Sequence, residues 1–394
     1  MSKPFVFEKP AGMRDTLPAF YQNNEDIKNR MKQEMESWGY QFIQTPTLEY
    51  HDTVGEASAI LDQQLFKLLD MEGKTLVLRP DMTAPIARVV SSSMKQVAYP
   101  LRLAYSSPVF RAQQREGGRP AEFEQVGIEL IGEGTASAEA EALALMSEVF
   151  RKSEIASFTV AVGHIGFVQE LLSEILGNDD RAADLLRYLN EKNYVGYTSH
   201  VKKLPLSSID TQRLLKLLDL RGGIEVLDEA SSLNPNRRGQ QTLQELKDLY
   251  DLLEDYDAAQ NIVFDFTLFS HMNYYTGIVF EGYGAGIGAP IASGGRYDDL
   301  LSRFDRKAPA IGFAIRMDYF VEALGKKKDD TERECILYTN ERRKEALKLA
   351  RNKRNEGKRV VMQNLSGVKN IDEFSKRFDD VHYLIGTQQG EDFS

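Results

Sequence analysis

Cysteine is almost absent from this chain of 394 residues, in which Cys335 is the only one. A single thiol excludes an internal disulfide and a cluster of thiolate metal ligands, and it leaves only pairing between two chains. We expect Cys335 to be a buried residue of a strand.

Long apolar runs are also absent. No stretch approaches the ~20 residues needed to span a bilayer, and the first residues lack the apolar segment of a secretory signal. The sequence therefore predicts no membrane contact and a cytoplasmic location. With 42% hydrophobic residues, the chain can bury a large core and divide into two or three domains.

Basic residues are fewer than acidic ones. The chain has 49 Lys and Arg residues and 59 Asp and Glu residues, which gives a net charge of -10. This balance supplies no overall attraction to a phosphate backbone, although acidic proteins also carry local basic grooves. Nucleic-acid binding is therefore disfavoured.

A helix opens the chain, because Ile27, Met31, Met35 and Trp38 recur at steps of three to four before Gly39. Residues 40–43 then form a predicted strand, and a proline just beyond it suits an edge or an interface. From about residue 75 to 135 the pattern changes to short apolar strands separated by polar turns, which is typical of an antiparallel sheet.

Asp81 and Thr83 follow the predicted strand at 75–78 and place a carboxylate close to a hydroxyl. Such a pair can hold an ammonium group. The alternative is an ion pair between Asp81 and a neighbouring arginine such as Arg79.

A long hairpin is predicted from residue 105 to residue 129, with its tip near two glycines. Gln125 and Glu129 share a face of its second strand, because alternate residues of a strand point the same way. Their amide and carboxylate can satisfy both nitrogens of an imidazole ring. The alternative is a polar pair that faces solvent.

The following region is predicted to be helical. A helix spans about 138–150, a strand 158–163, and leucines at helical spacing indicate an insertion of helices over about 164–260. Leucine stripes of this kind are more often packing faces than cofactor sites. No metal or nucleotide motif occurs there.

Strands at 262–266 and 278–281 flank Tyr274 and Tyr275, and one of these rings can face a pocket while the other packs behind it. Paired tyrosines are also common in simple packing. The glycine-rich run at 282–288 is not followed by a helix, so it lacks the N-terminus that a phosphate loop needs and is predicted to be a flexible hairpin tip.

The tail from about residue 331 alternates strands with helices at 341–354 and near 371–378, which predicts a small parallel sheet. Its 13 Lys and Arg residues face 11 Asp and Glu residues, a balance too even to indicate RNA binding.

Several segments resemble the motifs of histidyl-tRNA synthetases, a class II family, and they occur in the family's order. The run 273–281 matches the histidine-recognition motif, and 294–298 reads G-G-R-Y-D as in the family. Residues 12–18 with 39–46, the hairpin, and residues 310–320 resemble the three class II motifs. The resemblance covers nearly the whole chain.

Departures from the family pattern fall on the positions that handle ATP and tRNA. Ser270 and Tyr319 stand where the family has arginines, and Ala121 replaces a third one. Gln113 and Gln114 replace a Glu-Arg pair, and glutamine cannot reproduce the fork of a guanidinium. Since each lost electrostatic stabiliser typically costs ~10²–10³ in rate, these changes argue against adenylate formation.

A preserved histidine pocket with altered ATP and tRNA sites resembles the regulatory subunits of ATP phosphoribosyltransferase. The resemblance implies an α+β fold, in which a class II antiparallel sheet is flanked by helices. It also implies a core at 1–325 that contains the helical insertion, and a shortened anticodon-binding-like α/β domain at 331–394. As in that family, the chain would have no aminoacylation activity and no cofactor or metal.

The resemblance also implies partners and a ligand. The chain would form a dimer through its first class II motif and assemble with the short-form catalytic subunit of ATP phosphoribosyltransferase, in the first step of histidine biosynthesis. It would bind free histidine for feedback inhibition. The residues expected to hold histidine are Asp81 and Thr83 at the amino group, Gln125 and Glu129 at the ring, Tyr274, Tyr275 and Tyr297 around it, and Arg111 at the carboxylate.

Two other functions fit the same fold. A functioning histidyl-tRNA synthetase with unusual substitutions would catalyse histidine-dependent ATP–pyrophosphate exchange. A noncatalytic RNA-binding or scaffolding protein would bind tRNA and be indifferent to free histidine, and the acidic composition argues against it.

Overall fold

Two units make up the chain in the computed structural model, residues 1–327 and 328–394. The structure describes residues 6–112, 119–269, 274–325 and 333–386. The strands of the first unit are β1 (Gln41–Phe42), β2 (Leu48–Tyr50), β3 (Lys67–Leu69), β4 (Thr75–Leu78), β5 (Leu101–Phe110), β6 (Glu122–Ile131), β7 (Phe158–His164), β8 (Arg221–Gly222), β9 (Ile262–Asp265), β10 (Ile278–Gly284), β11 (Ala292–Arg296) and β12 (Ala310–Arg316). Its helices are α1 (Pro18–Ser37), α2 (Thr83–Ser91), α3 (Ala136–Lys152), α4 (Ile165–Leu176), α5 (Asp179–Asn190), α6 (Tyr194–Val201), α7 (Ser208–Lys216), α8 (Val226–Leu233), α9 (Arg237–Asp255) and α10 (Met317–Leu324).

Helix α1 confirms the predicted opening helix. Pro18 occupies its first turn, where no backbone donor is needed, and Gly39 ends the segment with a positive φ of 84°. Ile27, Met31 and Met35 are fully buried and pack toward α3 in the same chain. The apolar stripe read from the sequence is therefore an internal packing face.

A sheet of nine strands forms the centre of the first unit, in the order β1-β5-β6-β12-β11-β10-β7-β9-β8. It is antiparallel through its middle, as predicted, and it contains two parallel pairs, β1 with β5 and β7 with β9. Strand β1 lies at an edge, as the proline after it indicated. Helices α3 and α10 pack on the sheet through one continuous hydrophobic core.

Helix α2 is an element that the sequence did not predict. Residues 75–135 were expected to hold strands and turns, and this was wrong for 83–91. The helix has only nine residues, and the proline in it, Pro85, is tolerated because it lies in the first turn. Asp81 Oδ1 accepts a hydrogen bond from the Ala84 N–H at 3.0 Å and so caps the helix.

Strand β10 extends farther than predicted. The expected flexible tip began at Gly282, but Gly282 pairs with Val160 on one side and Ala292 on the other, and the strand ends at Gly284. A Cβ atom at Gly282 would lie 2.8 Å from the Phe150 ring. Glycine is needed at this position because it allows close packing. A glycine-rich composition alone does not show whether a glycine serves close packing or a turn.

The predicted helical insertion consists of α4 to α9. Its leucines are buried or partly buried, and they belong to or pack against the same hydrophobic core as the sheet. Side chains of His164, Asn178, Asn193, Ser207 and Asn236 accept a backbone N–H at the start of a helix. The stripes thus serve packing, as expected.

The second unit contains β13 (Arg333–Tyr338), α11 (Arg343–Asn355), β14 (Arg359–Asn364), α12 (Ile371–Ser375) and β15 (Asp380–Leu384). Its three strands are parallel in the order β14-β13-β15, which confirms the predicted small parallel sheet. Cys335 is fully buried on β13, as expected. The predicted last helix is shorter than expected, because α12 ends at Ser375.

None of the described helices is both long enough and apolar enough to cross a membrane.

Gly312→Ala tests the closest approach in the central sheet. An added Cβ atom would lie 2.0 Å from Glu129 Oε2 and 2.3 Å from the Ile128 carbonyl oxygen, and that backbone atom cannot move aside. We expect the substitution to lower the free energy of unfolding by about 1–3 kcal/mol in urea titrations. Gly288→Ala is the control, since no heavy atom lies within 4 Å of its added Cβ. Equal unfolding midpoints for the two variants would contradict this account.

Candidate functional site

The carboxyl group of Glu129 joins three distant segments of the chain. Glu129 lies on β6 and is 2% exposed. The hydroxyl of Thr83, at the start of α2, donates to Glu129 Oε1 at 2.7 Å, and the hydroxyl of Tyr297, just after β11, donates a short hydrogen bond to Oε2. Residues predicted separately from three motifs therefore form one hydrogen-bonded group.

Two glycines allow close packing in this part of the sheet. Glu129 pairs with Gly312 on β12, and the missing side chain there leaves space for the carboxylate. Gly127 lies two residues before Glu129, where a Cβ atom would meet the Tyr105 hydroxyl at 2.5 Å and the Phe313 carbonyl oxygen at 2.2 Å. Strand glycines of this kind mark a close approach, a signal that the sequence analysis did not use.

Burial dominates the electrostatics of Glu129. Loss of solvent raises the pKa of this carboxyl to about 8, and the hydroxyl donors Tyr297 and Thr83 only partly offset the effect, while the Asp81 charge adds to it. No Lys, Arg or His of the described part of the chain forms an ion pair with it. A buried acid without a basic partner keeps its proton, and a ligand that brings positive charge would favour its ionised form.

Tyrosine rings enclose the carboxyl group on one side. The rings of Tyr274 and Tyr297 meet edge to face with centroids 5.7 Å apart, and both residues are almost fully buried. Tyr275 packs on Tyr274 at 5.0 Å and is less buried. Burial raises the pKa of all three phenols, so they remain neutral donors at physiological pH.

Asp81 does not form the ion pair with Arg79 that the sequence offered as an alternative. Its carboxylate accepts from the Ser58 hydroxyl at 2.5 Å and from the Ala84 N–H. Arg79 instead donates to the carbonyl oxygens of Thr45 at 2.7 Å and Pro108 at 2.9 Å. Ser58 lies 23 residues before Asp81, and no sequence pattern pointed to it.

Gln125 and Arg111 lie farther along the same hairpin. Gln125 is 5% exposed and pairs with Ser107 and with Arg316 across the strands, so it does not face solvent as the alternative required. The Arg111 Nε donates to the Pro80 carbonyl oxygen at 2.9 Å, and its guanidinium lies 5.3 Å from the centre of the Phe123 ring.

Arg316 is held by aromatic rings and a carboxylate. Its guanidinium lies 4.0 Å from the centre of the Phe123 ring and 4.1 Å from that of Tyr319, and its Nη2 is 2.8 Å from Asp318 Oδ2. Such stacking and pairing stabilise a guanidinium where it is. Tyr319, which stands where the family has an arginine, packs on the Arg316 guanidinium.

Three of the departures from the family pattern cannot be placed. Ser270, Gln113 and Gln114 lie outside the described residues. Ala121 is buried, and its N–H donates to the Gly12 carbonyl oxygen at 2.8 Å.

Within the described ranges, two groups of side chains are close enough together to hold a metal ion, one with His51, Asp52 and Glu56 and one with Glu334, Asp380 and His382. In the second group, Lys353 and Lys358 lie 2.5 Å and 2.6 Å from Glu334, and their hydrogen bonds lower the pKa of that carboxyl to about 2. The Glu334 carboxylate is therefore already neutralised by the protein. Neither group includes a residue of the predicted histidine pocket.

The fold and the pocket define a histidyl-tRNA-synthetase-like protein. A family model described as histidyl-tRNA synthetase matches residues 12–320, and one described as histidyl-tRNA synthetase HisZ, C-terminal domain, matches 335–386. A histidyl-tRNA synthetase structure from Nostoc superposes with a TM-score of 0.79 over 95% of this chain and 89% of its own, and at 18% identity it shows the fold alone.

Closer relatives define the family. The ATP phosphoribosyltransferase regulatory subunit of Halalkalibacterium halodurans is 57% identical over the full length of both chains, and that of Bacillus subtilis is 53% identical over 98% of this chain and 99% of its own. The crystal structure of an ATP phosphoribosyltransferase regulatory subunit/histidyl-tRNA synthetase from Bacillus halodurans has a TM-score of 0.92 at 57% identity, covering 98% of this chain and all of its own. The chain belongs to the family of ATP phosphoribosyltransferase regulatory subunits.

Glu129→Gln tests the burial of the unpaired acid in the ligand-free protein. Between pH about 4.5 and about 8 the unfolded chain ionises Glu129 while the native chain keeps its proton, so the native state loses stability as pH rises. Glutamine removes this loss. We expect the melting temperature of the variant to rise relative to wild type across this pH range, by the equivalent of a few kcal/mol.

The control for this test is Glu122→Gln, which changes an exposed glutamate at the start of the same strand. Its melting temperature should follow that of wild type at every pH. If the melting temperatures of wild type and Glu129→Gln differ by the same amount at every pH, Glu129 does not titrate as described.

Proposed function

We propose that this chain senses free histidine in the Glu129 pocket and transmits the signal to the short-form catalytic subunit of ATP phosphoribosyltransferase. In this role it is a regulatory subunit without aminoacylation activity, required for the first step of histidine biosynthesis and for its feedback inhibition. The relatives at 51–57% identity, all named regulatory subunits of that enzyme, support the assignment of the partner.

The observation that carries the proposal is a buried carboxyl group whose hydrogen-bond partners, among the residues that the structure describes, are hydroxyls only. Histidine brings an ammonium group and a ring that gains a proton near neutral pH, so it supplies positive charge that would favour ionised Glu129. In the proposed pose, Glu129 and Gln125 contact the ring nitrogens. Tyr274 and Tyr297 enclose the ring, with Tyr275 behind them.

The remaining contacts bind the amino-acid backbone of the ligand. Asp81 retains acceptor capacity beyond its bonds to Ser58 and Ala84, so it and Thr83 can receive the ammonium group. Arg111 directly follows β5, the strand that pairs with the strand of Gln125, and it would meet the carboxylate. This set of groups fits a free amino acid better than a peptide, because both ends of the ligand are bound.

The surroundings of Arg316 support a role that excludes adenylate formation. Adenylyl transfer needs guanidinium groups aimed at the phosphates, and the Arg316 charge is committed to Asp318 and to two rings. Tyr319 supplies no charge. Neither of these two side chains is therefore placed to stabilise charge on a nucleotide.

Regulation requires histidine to bind two states of the complex unequally, since equal affinity shifts no equilibrium. The Glu129 group is suited to this, because it ties the start of α2, the hairpin strand and the end of β11 together. Occupancy would tighten these segments against one another. We further propose that the chain self-associates as a dimer within the complex and that tRNA is not a ligand.

Calorimetry on the purified protein tests the pocket. Histidine should release heat, and Gln125→Ala or Glu129→Gln should weaken its binding at least about 10-fold, since each removes a buried hydrogen bond to a charged or polar ring. Gln169→Ala, on the exposed side of α4, is the control and should bind as wild type does. Absence of histidine-specific heat, or unchanged heat with Gln125→Ala, would reject this pocket.

Activity measurements test the regulatory role. Mixed with the catalytic subunit, the chain should support ATP phosphoribosyltransferase activity that histidine inhibits, and Glu129→Gln should keep the activation while losing at least about 10-fold in sensitivity to histidine. Alone it should show no histidine-dependent ATP–pyrophosphate exchange. Robust exchange, or activation and inhibition that are both unaffected by Glu129→Gln, would overturn the proposed function.

A further inference from the structure

A serine hydroxyl from a distant segment of the chain holds the Asp81 carboxylate. Ser58 lies just after the π-helical turn at His51–Gly55 and is 9% exposed. Its Oγ donates a hydrogen bond to Asp81 Oδ2 at 2.5 Å, and Asp81 is 3% exposed. Both partners of this hydrogen bond are therefore shielded from solvent.

The local backbone holds Ser58 in place as a donor. The Ile60 N–H donates to Ser58 Oγ at 3.2 Å, so this oxygen already accepts one hydrogen bond while its own hydrogen is directed at Asp81. The Ser58 N–H donates to the Val54 carbonyl oxygen at 2.9 Å and ties the residue to the preceding turn. The hydroxyl is therefore positioned by its own segment before any ligand binds.

The two oxygens of the Asp81 carboxylate have separate partners. Oδ1 accepts from the Ala84 N–H at 3.0 Å, and Oδ2 accepts from the Ser58 hydroxyl. The torsion that turns an aspartate carboxylate about its Cβ–Cγ bond is broad, so a single hydrogen bond would leave the group free to rotate. The bond from Ser58 fixes the plane of the carboxylate.

Asp81 is close enough to the Glu129 group to act on it electrostatically. Burial raises the pKa of Glu129 and of Tyr274, and the Asp81 charge adds to the effect at both groups. Thr83, two residues after Asp81, donates to Glu129 Oε1 at 2.7 Å. The orientation of the Asp81 carboxylate therefore affects the part of the pocket in which the ammonium group of histidine is expected.

We propose that Ser58 is a positioning residue that makes the pocket selective for ligands with an α-ammonium group, because it holds the Asp81 carboxylate in the orientation that receives this group. The inference rests on the proposed histidine site and adds a residue that acts through Asp81. Groups that bind a ligand stay in the productive geometry only when further hydrogen bonds support them, and this preorganisation increases affinity.

Ser58→Ala in the full chain tests this role with two ligands. Histidine should bind the variant about 10-fold more weakly than wild type in calorimetry, because the Asp81 carboxylate loses a donor. Imidazolepropionate has the ring and the carboxylate of histidine but no ammonium group, so the substitution should change its affinity by less than about 2-fold. A hydrogen bond that only stabilises the fold would affect both ligands alike.

Two further variants serve as checks. Ser58→Cys is close to serine in shape but carries only a weak donor, so it should show the same selective loss without leaving a cavity. Ser147→Ala is the matched control, because Ser147 is also buried and its hydroxyl donates to the Leu143 carbonyl oxygen at 2.9 Å within α3. It should bind both ligands as wild type does. Binding of imidazolepropionate by the Ser58 variants shows that their pocket is folded.

Three results would overturn the inference. Equal losses for histidine and imidazolepropionate in both Ser58 variants would show that the hydrogen bond is only structural. Unchanged histidine binding in both variants would show that Asp81 needs no second donor, while the proposed histidine site would stand. If wild type itself gives no histidine-specific heat, the proposed site is wrong and so is the role of Ser58.

Discussion

The burial of one carboxyl group constrains the candidate pocket more than any other interaction. Glu129 can sit inside the sheet only because Gly312 leaves room for it and because two hydroxyls donate to it. Those donors, Thr83 and Tyr297, begin a helix and follow a strand that are far apart in the chain. Holding the acid thus also fixes the relative positions of three segments, and a cationic ligand would favour the ionised form of this acid.

Three arginines, Arg79, Arg296 and Arg316, are each held by neighbouring groups of the same chain. Arg79 donates to carbonyl oxygens and joins the segment after β1 to the hairpin. Arg296 is paired with Glu139 at 2.5 Å and so attaches β11 to α3. Arg316 is stacked between Phe123 and Tyr319. These guanidinium groups stabilise the fold, and in these positions they are not available to stabilise charge that develops on a phosphate.

Glu129 is in an unfavourable environment for a single chain, because burial disfavours the charged form of its carboxyl group. We propose that a cationic ligand offsets this cost. A regulatory subunit can use such a site, because its two states then differ in how well they bind the ligand.

Sequence periodicity and motif order were sufficient for much of this description. They determined the opening helix, the antiparallel centre of the large sheet, the leucine-lined insertion and the parallel sheet that contains Cys335. They also selected Thr83, Glu129 and Tyr297, because those residues stand in motifs that resemble one family. Such patterns record which side of an element is apolar, and that information is local.

Only the tertiary structure decided what those residues do to one another. It showed α2 where strands were expected, since a nine-residue helix is too short to give a clear period. It placed Ser58 on Asp81, and it assigned Arg79 to carbonyl oxygens. It also revealed that Gly312 and Gly282 serve close packing rather than turns. Distances between residues that are remote in sequence depend on sheet register and on packing, and neither can be read from neighbours along the chain.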